Sequence, residues 1–300
     1  MTMKMHTTAR RAAALAVAGA ATLALAGCGG LTAGSSDDET ITIGYLPSWT
    51  DAVNNAFLLE DQFEKLGYTV ELETLTEPGI LYAALAQGDI DLYPSAWPDI
   101  SQAAYREQYG DRLEDLGTYY DAAHGTLAVP GHVDIDEVED LKGQADRFGG
   151  KIYTIEAGSG TATMAEESLF PAYDLGDEYE LVSSSLAAML AALEDAVESE
   201  EDIVVTLWRP FWAYEAYGLK DLDDPAQGMG ATEGLHFLGH EGFSERFPEA
   251  AALLGQIELD DAQYGSLENT VVNEYGAGNE AEAIDAWLAE HRAELDWVVE

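Results

Sequence analysis

The 300-residue sequence predicts an α/β protein built from two similar units. From Ile41 onward, short β-rich runs alternate with stretches of helical periodicity, and a second series of the same kind begins at Lys151. The chain is also 47% apolar, enough for two modest lobes or one large domain with a real core. It carries no fixed-period repeat of about 20 to 50 residues, which argues against a solenoid or propeller.

In the first series, ITIGYL (41–46) reads as a strand, Asp51 to Leu66 as a helix, YTVELETL (68–75) as a strand, Ile80 to Gln87 as a helix and DIDLYPSAW (89–97) as a strand. In the second, KIYTIEAG (151–158) is followed by a helix from about Thr161, the strand YELVS, a helix from Ser184 to Glu198 and the strand DIVVTLW. Strands and helices alternating in this way predict a mostly parallel sheet, and two such units imply a cleft between them. GTLAVPGHVDIDEVEDL, an apolar strand interrupted by Pro130-Gly131, marks a first crossing between units, and GLHFLGHEGF (234–243) a second. Helices follow from about Phe247 to Leu254, through Leu267 to Tyr275, and from Glu280, where Ile284, Trp287 and Leu288 recur at helical spacing. The expected division is 41–129 and 238–300 for one lobe and 130–237 for the other.

The first 27 residues stand apart. Lys4, Arg10 and Arg11 precede an uncharged Ala- and Leu-rich run from Ala12 to Gly27, the layout of a secretory signal and shorter than the roughly 20 residues of a membrane span. Leu25-Ala26-Gly27-Cys28 places small residues ahead of the chain's single cysteine, which has no partner for an internal disulfide. This stretch resembles a bacterial lipobox, which implies that Cys28 is acylated and becomes the mature N-terminus. GGLTAGSSDDET (29–40) then serves as a flexible tether, and the protein is expected on the outer face of the cell membrane, anchored and not spanning.

Loss of those 27 residues removes three basic and no acidic side chains, leaving 57 acidic against 10 basic, a formal charge of −47. Such a field disfavours nucleic acid, whose phosphates need clustered Lys and Arg. It is consistent with acids spread over the surface for solubility in a salty habitat, and more weakly with a cationic ligand.

In open α/β sheets ligands bind beyond the carboxyl ends of strands. Trp49 follows ITIGYL, Trp97 follows DIDLYPSA and Trp208 follows DIVVTL, with Trp212 four residues on, whereas Trp287 and Trp297 lie in the terminal helical region and are expected to cover core. Indole faces converging in a cleft suit a quaternary ammonium, whose methylated cation donates no N–H hydrogen bond and is held by ring quadrupoles.

YLPSWTDAV, LAQGDIDLYPSAWPD, GKIYTIEAGSG, SSSLAAMLAALEDA, IVVTLWRPFWAY with LKDLDDP, and AIDAWLAEH occur in the order found in the substrate-binding proteins of ABC importers for glycine betaine, proline betaine and choline, and from about Ile41 the chain resembles that family. The resemblance implies a two-lobed, Venus-flytrap (type II periplasmic-binding-protein) α/β fold, a ligand held between lobes, delivery to an ABC permease, no cofactor and no catalysis. Trp49, Trp97 and Trp208 match the family's aromatic cage, and Trp212, in its W-x-P-x-W stretch, is a fourth wall or a support behind Trp208. Asp51 matches an acidic position that faces the cation in the choline-binding branch; it is equally readable as an N-cap for a helix beginning near Ala52.

Two departures stand out. The histidine that betaine-binding relatives often carry after the second tryptophan is absent from Trp97-Pro98-Asp99-Ile100-Ser101, and Gly125 stands where the choline branch has a tyrosine. A ligand carboxylate would then fall to backbone N–H groups at a helix start, such as those after Trp49, to Arg209 or to His240; Arg209 also reads as the partner of a surface acid. Glu156-Ala157-Gly158-Ser159-Gly160-Thr161 lacks the nucleotide-binding patterns and reads as a helix start at the cleft rim. Beyond His236 and His240 at i, i+4, which lie in an apparent strand where that spacing is uninformative, the histidines show no metal-ligand spacing, and no nucleophile elbow appears. The expected function is capture of glycine betaine or a related quaternary ammonium. Choline is the alternative within the class. An extracytoplasmic enzyme using Asp51, Asp99 or Glu156 as acid and base, or a sensory domain without a transporter, are the alternatives outside it.

Overall fold

A computed structural model of the protein describes residues 40–300; the signal segment, Cys28 and most of the tether expected from the sequence lie outside the described residues. In chain order the elements are β1 (Thr40–Tyr45), α1 (Thr50–Lys65), β2 (Thr69–Thr74), α2 (Pro78–Gln87), β3 (Leu92–Ala96), α3 (Ala103–Tyr109) and β4 (Leu113–Pro130). Next come β5 (Lys151–Thr154), α4 (Gly160–Met164), α5 (Phe170–Ala172), β6 (Glu180–Ser183), α6 (Leu186–Glu198), β7 (Val205–Arg209), α7 (Ala213–Tyr217) and β8 (Leu219–Asp221). The chain closes with β9 (Glu233–His240), α8 (Phe243–Arg246), α9 (Pro248–Leu254), α10 (Asp261–Asn269) and α11 (Glu280–His291).

The strands form one continuous path, β2-β1-β3-β9-β4-β7-β5-β6, with β8 beside β4. The expectation of a mostly parallel sheet is corrected. The pairs within each unit, β1 with β2 and β3, and β5 with β6 and β7, are parallel, but every pair involving β4 or β9 is antiparallel. Strands that carry the chain between units run against those they join. β4 also starts at Leu113, well before the expected crossing strand. Its early part shifts register at three places against β9, and bulges of this kind erase the period-two alternation that marks a strand in sequence. Up to Ala123 it pairs with β9, and from His124 it pairs with β7.

Helix boundaries follow local chemistry. Pro78 opens α2 and Gly88 ends it in a left-handed conformation (φ 77°) that an L side chain adopts at a cost. Ser185 caps α6 by accepting from the Ala188 N–H, and Asp260 with Gln263 forms a reciprocal capping box on α10. The expected acidic helix through Leu267 to Tyr275 is the end of α10 continued by a wide turn over Thr270–Tyr275. Trp287 and Trp297 are buried, as expected of core aromatics, and the Trp287 Nε1–H donates to Ser266 Oγ at 2.8 Å. The largest buried cluster runs from β1 and α1 through β9 to α11, and a second fills the space around Leu127, Phe148, Leu169 and Tyr179. Among the described residues no helix is long and apolar enough to cross a membrane.

Candidate functional site

Three turns at the carboxyl ends of strands meet in one cleft. The turn after β1 contributes Trp49 and Asp51, the turn after β3 contributes Trp97, Ser101 and Gln102, and the turn after β5 contributes Ile155 and Ser159 to Thr161; Trp208 comes from β7. The cleft holds ≈ 340 Å³ of atom-free space, part of it open to solvent. Trp208 is the penultimate residue of β7 and so lies inside the strand, not after it. None of these lining residues is basic.

Each indole is held differently. Trp49 occupies the N-cap position of α1, with its N–H bonded to the Leu46 carbonyl at 3.0 Å, and its ring Nε1–H donates to Glu156 Oε1 at 2.6 Å. Trp97 donates its Nε1–H to Asp51 Oδ2 at 3.1 Å. Trp208 packs at 4.4 Å between ring centroids on Phe211, and its Nε1 is buried with no hydrogen-bond partner. Gln102 clamps the Trp97 backbone from both sides: its Oε1 accepts the Trp97 N–H at 2.9 Å, and its own backbone N–H donates to the Trp97 carbonyl at 2.8 Å. Tyr82 donates to the same Oε1 at 2.7 Å, so a buried network fixes the ring's base.

The helix-cap reading of Asp51 is corrected. The helix begins at Thr50, no side chain caps it, and Asp51 lies in its first turn, 3% exposed, with Oδ2 accepting from Ser95 Oγ at 2.6 Å and from the Trp97 indole. Burial raises the Asp51 carboxyl above the usual carboxylate range, and the hydrogen bonds from Ser95 and Trp97 counter part of that rise.

Trp212 and Arg209 are not brought into this cleft. Trp212 packs on Phe211 and Tyr217. Arg209 pairs with Asp221 at 3.0 Å and lies over the Tyr214 ring, 3.3 Å from its centroid, the acid-partner arrangement that the sequence also allowed. His240 meets the Leu85 carbonyl at 2.9 Å, away from the indoles. Gly125 pairs with Trp208 across β4 and β7, and a Cβ there would stand 2.8 Å from the Met229 carbonyl oxygen; the absent tyrosine has no room. Asp99 is more than half exposed and meets His236 at 3.5 Å. Among the described residues no group of three or more His, Cys, Asp or Glu is placed to hold a metal.

Several supporting residues were not singled out from sequence. Glu233, 4% exposed on β9, accepts the N–H groups of Ile100 and Ser101 at 3.0 Å each and also the Ser101 hydroxyl, tying the turn after Trp97 to the crossing strand. Burial raises its carboxyl, while the Ser101 and backbone hydrogen bonds oppose the rise. Glu268, 2% exposed on α10, accepts from Thr50 Oγ1 at 2.6 Å. Ser95, on β3 two positions before Trp97, is a polar residue inside an apolar run; Glu233 and Glu268 carry no such signal. On the facing rim, Ser159 caps α4, and Gly160 lies so close to Ser101 that an added Cβ would come within 2.4 Å of its carbonyl oxygen. Only glycine permits that approach, and the two rims are in contact.

Residues 39–290 match the family described as the substrate binding domain of ABC-type glycine betaine transport systems. Over 134 residues the chain is 34% identical to the glycine betaine/carnitine transport binding protein of Listeria monocytogenes, a match that covers 44% of this chain and 42% of that relative's length. The glycine betaine/L-proline-binding protein of Borrelia burgdorferi superposes with a TM-score of 0.79 at 31% identity, covering 87% of this chain and 97% of that one. The lactococcal protein in its closed, glycine betaine-bound form superposes equally well, TM-score 0.79, at 26% identity over 87% of this chain and 99% of that one.

Proposed function

Because the chain belongs to the family of substrate-binding domains of ABC-type glycine betaine transport systems, we propose that its cleft captures glycine betaine or a closely related quaternary ammonium and presents it to an ABC permease. The observation that carries this reading is that indoles from both units, Trp49, Trp97 and Trp208, line one cleft whose lining has no basic side chain. Each ring facing a desolvated cation contributes about 0.5 to 2 kcal/mol, so three supply a large part of the roughly 8 kcal/mol that micromolar affinity needs. Asp51 adds negative charge behind Trp97.

The binding reading is preferred to a catalytic one because two of the three candidate carboxylates are tied to the cage rings themselves: Asp51 holds the Trp97 indole and Glu156 Oε1 holds the Trp49 indole. We assign the lobes to 41–129 with 238–300 and to 130–237. The change of partner along β4 comes at His124, six residues ahead of the first division, and β9 already pairs with β3 at His236, two residues ahead of the second. Secretion, acylation at Cys28 and residence on the outer membrane face complete the proposal, supported by the sequence of residues 1–40.

Calorimetric titration with glycine betaine, proline betaine, choline and carnitine tests it. One-to-one binding of at least one of them at micromolar affinity or tighter, with the ligand recovered unchanged, is expected. Absence of binding by all four, or turnover of any, would overturn it.

A further inference from the structure

Glu156 lies in the turn after β5, in the unit opposite Trp49, and 107 residues away in sequence. Its Oε1 accepts the Trp49 indole N–H at 2.6 Å, while its Oε2 is buried with no partner. Two other contacts made by the same stretch, residues 156–160, reach across: the Tyr105 hydroxyl donates to the Gly158 carbonyl at 2.9 Å, and Gly160 abuts Ser101. Of the three, only the Glu156 bond grips a ring that lines the cleft.

We propose that Glu156 is a positioning residue that latches the cleft, holding Trp49 by its indole N–H from the opposite unit so that ring orientation and closure are one event. The inference rests on the quaternary-ammonium reading of the site. When the units part, the indole N–H and the carboxylate both return to water, so the bond contributes to the closed state alone. A hydrogen bond to a carboxylate is among the stronger kinds, and here it restrains a ring whose face must be presented to the ligand. A carboxylate on the N–H also polarises the indole, making its face more attractive to a cation. Trp97 has the same arrangement through Asp51, whereas the Trp208 N–H has no partner. The latch therefore acts on the one carboxylate-held ring whose acceptor comes from across the cleft.

A double-mutant cycle tests this, with glycine betaine and choline titrated against the wild-type chain, Glu156→Ala, Trp49→Phe and the double variant. Glu156→Ala is expected to weaken binding about tenfold, chiefly through faster dissociation, and to cost less than about twofold in the Trp49→Phe background, where the N–H is gone. Glu156→Gln keeps an acceptor oxygen and loses the charge, so it should restore most glycine betaine affinity but less for choline, which carries net positive charge. Equal losses with and without the Trp49→Phe substitution would overturn the latch. If Trp49→Phe binds too weakly to titrate, the Trp49 indole N–H resonance of the ligand-bound protein decides. It should shift in Glu156→Ala and stay near its wild-type position in Glu156→Gln, and an identical resonance in all three proteins overturns the proposal. A wild-type chain that binds neither ligand moves the cycle to proline betaine or carnitine, and one that binds none of the four overturns the quaternary-ammonium reading itself.

Discussion

Asp51 is the residue whose role changed most on folding. At 3% exposure it faces Ser95 and the Trp97 indole, so its charge reaches the cleft through a ring as well as directly. Trp97→Ala removes a wall and leaves a buried carboxylate short of a donor; glycine betaine affinity is expected to fall at least about tenfold, and unchanged affinity by calorimetry would contradict the cage. Asp51→Asn keeps an acceptor near Trp97 while removing the charge. Choline should then lose more affinity than the zwitterion, and equal losses would mean that Asp51 only positions the ring. The three indoles were legible in sequence because tryptophan is rare and each sits at a strand's end. Ser95, Gln102 and Glu233 were not, since each matters only through a partner on another element.

Among the elements, α10 sets a polar group where an apolar one would be ordinary. Glu268 is buried against Thr50 at the start of α1, and desolvation, aided by the nearby Asp51 charge, pushes its carboxyl up to about 8 although Thr50 and the Trp212 backbone N–H oppose the shift. The unfolded chain titrates this group near 4.3. Between about 4.3 and 8 the folded state therefore keeps a proton that the unfolded state has released, and this group's contribution to stability falls as pH rises through that window. Glu268→Gln should flatten the fall by up to about 1.4 kcal/mol per pH unit. Urea unfolding at pH 5 and pH 8 checks it: the variant should gain on the wild type toward pH 8, and parallel losses in both proteins would contradict the assignment. Nothing in the sequence QYGSLENTV distinguishes this glutamate from a surface acid, because its burial depends on how α10 docks.

For the molecule as a whole, 57 acidic side chains stand against 13 basic ones. Nearly all the ion pairs among the described residues have a partner more than a third exposed, so each contributes about 0 to 1 kcal/mol and they do not offset so large an excess. Self-repulsion should dominate the salt response. Raising NaCl from about 0.1 to 1 M shortens the Debye length from about 10 to 3 Å and is expected to raise the melting temperature by several degrees. A melting temperature that falls with salt would mean that the exposed pairs outweigh the repulsion.

The sequence by itself determined the alternation of strands and helices, the two units, the helix stops at glycine and proline, and the three strand-end tryptophans. These follow from period, local backbone preference and residue size, which need no distant partner. Tertiary structure alone decided that β4 begins at Leu113, that Arg209 turns to Asp221 and Tyr214, and that Asp51 holds an indole instead of capping a helix. It also decided that Glu156 meets Trp49 across the cleft. Each of those outcomes depends on which strand or polar group finds which partner once the chain is packed, and a buried carboxylate takes the donor that the packed fold leaves within reach.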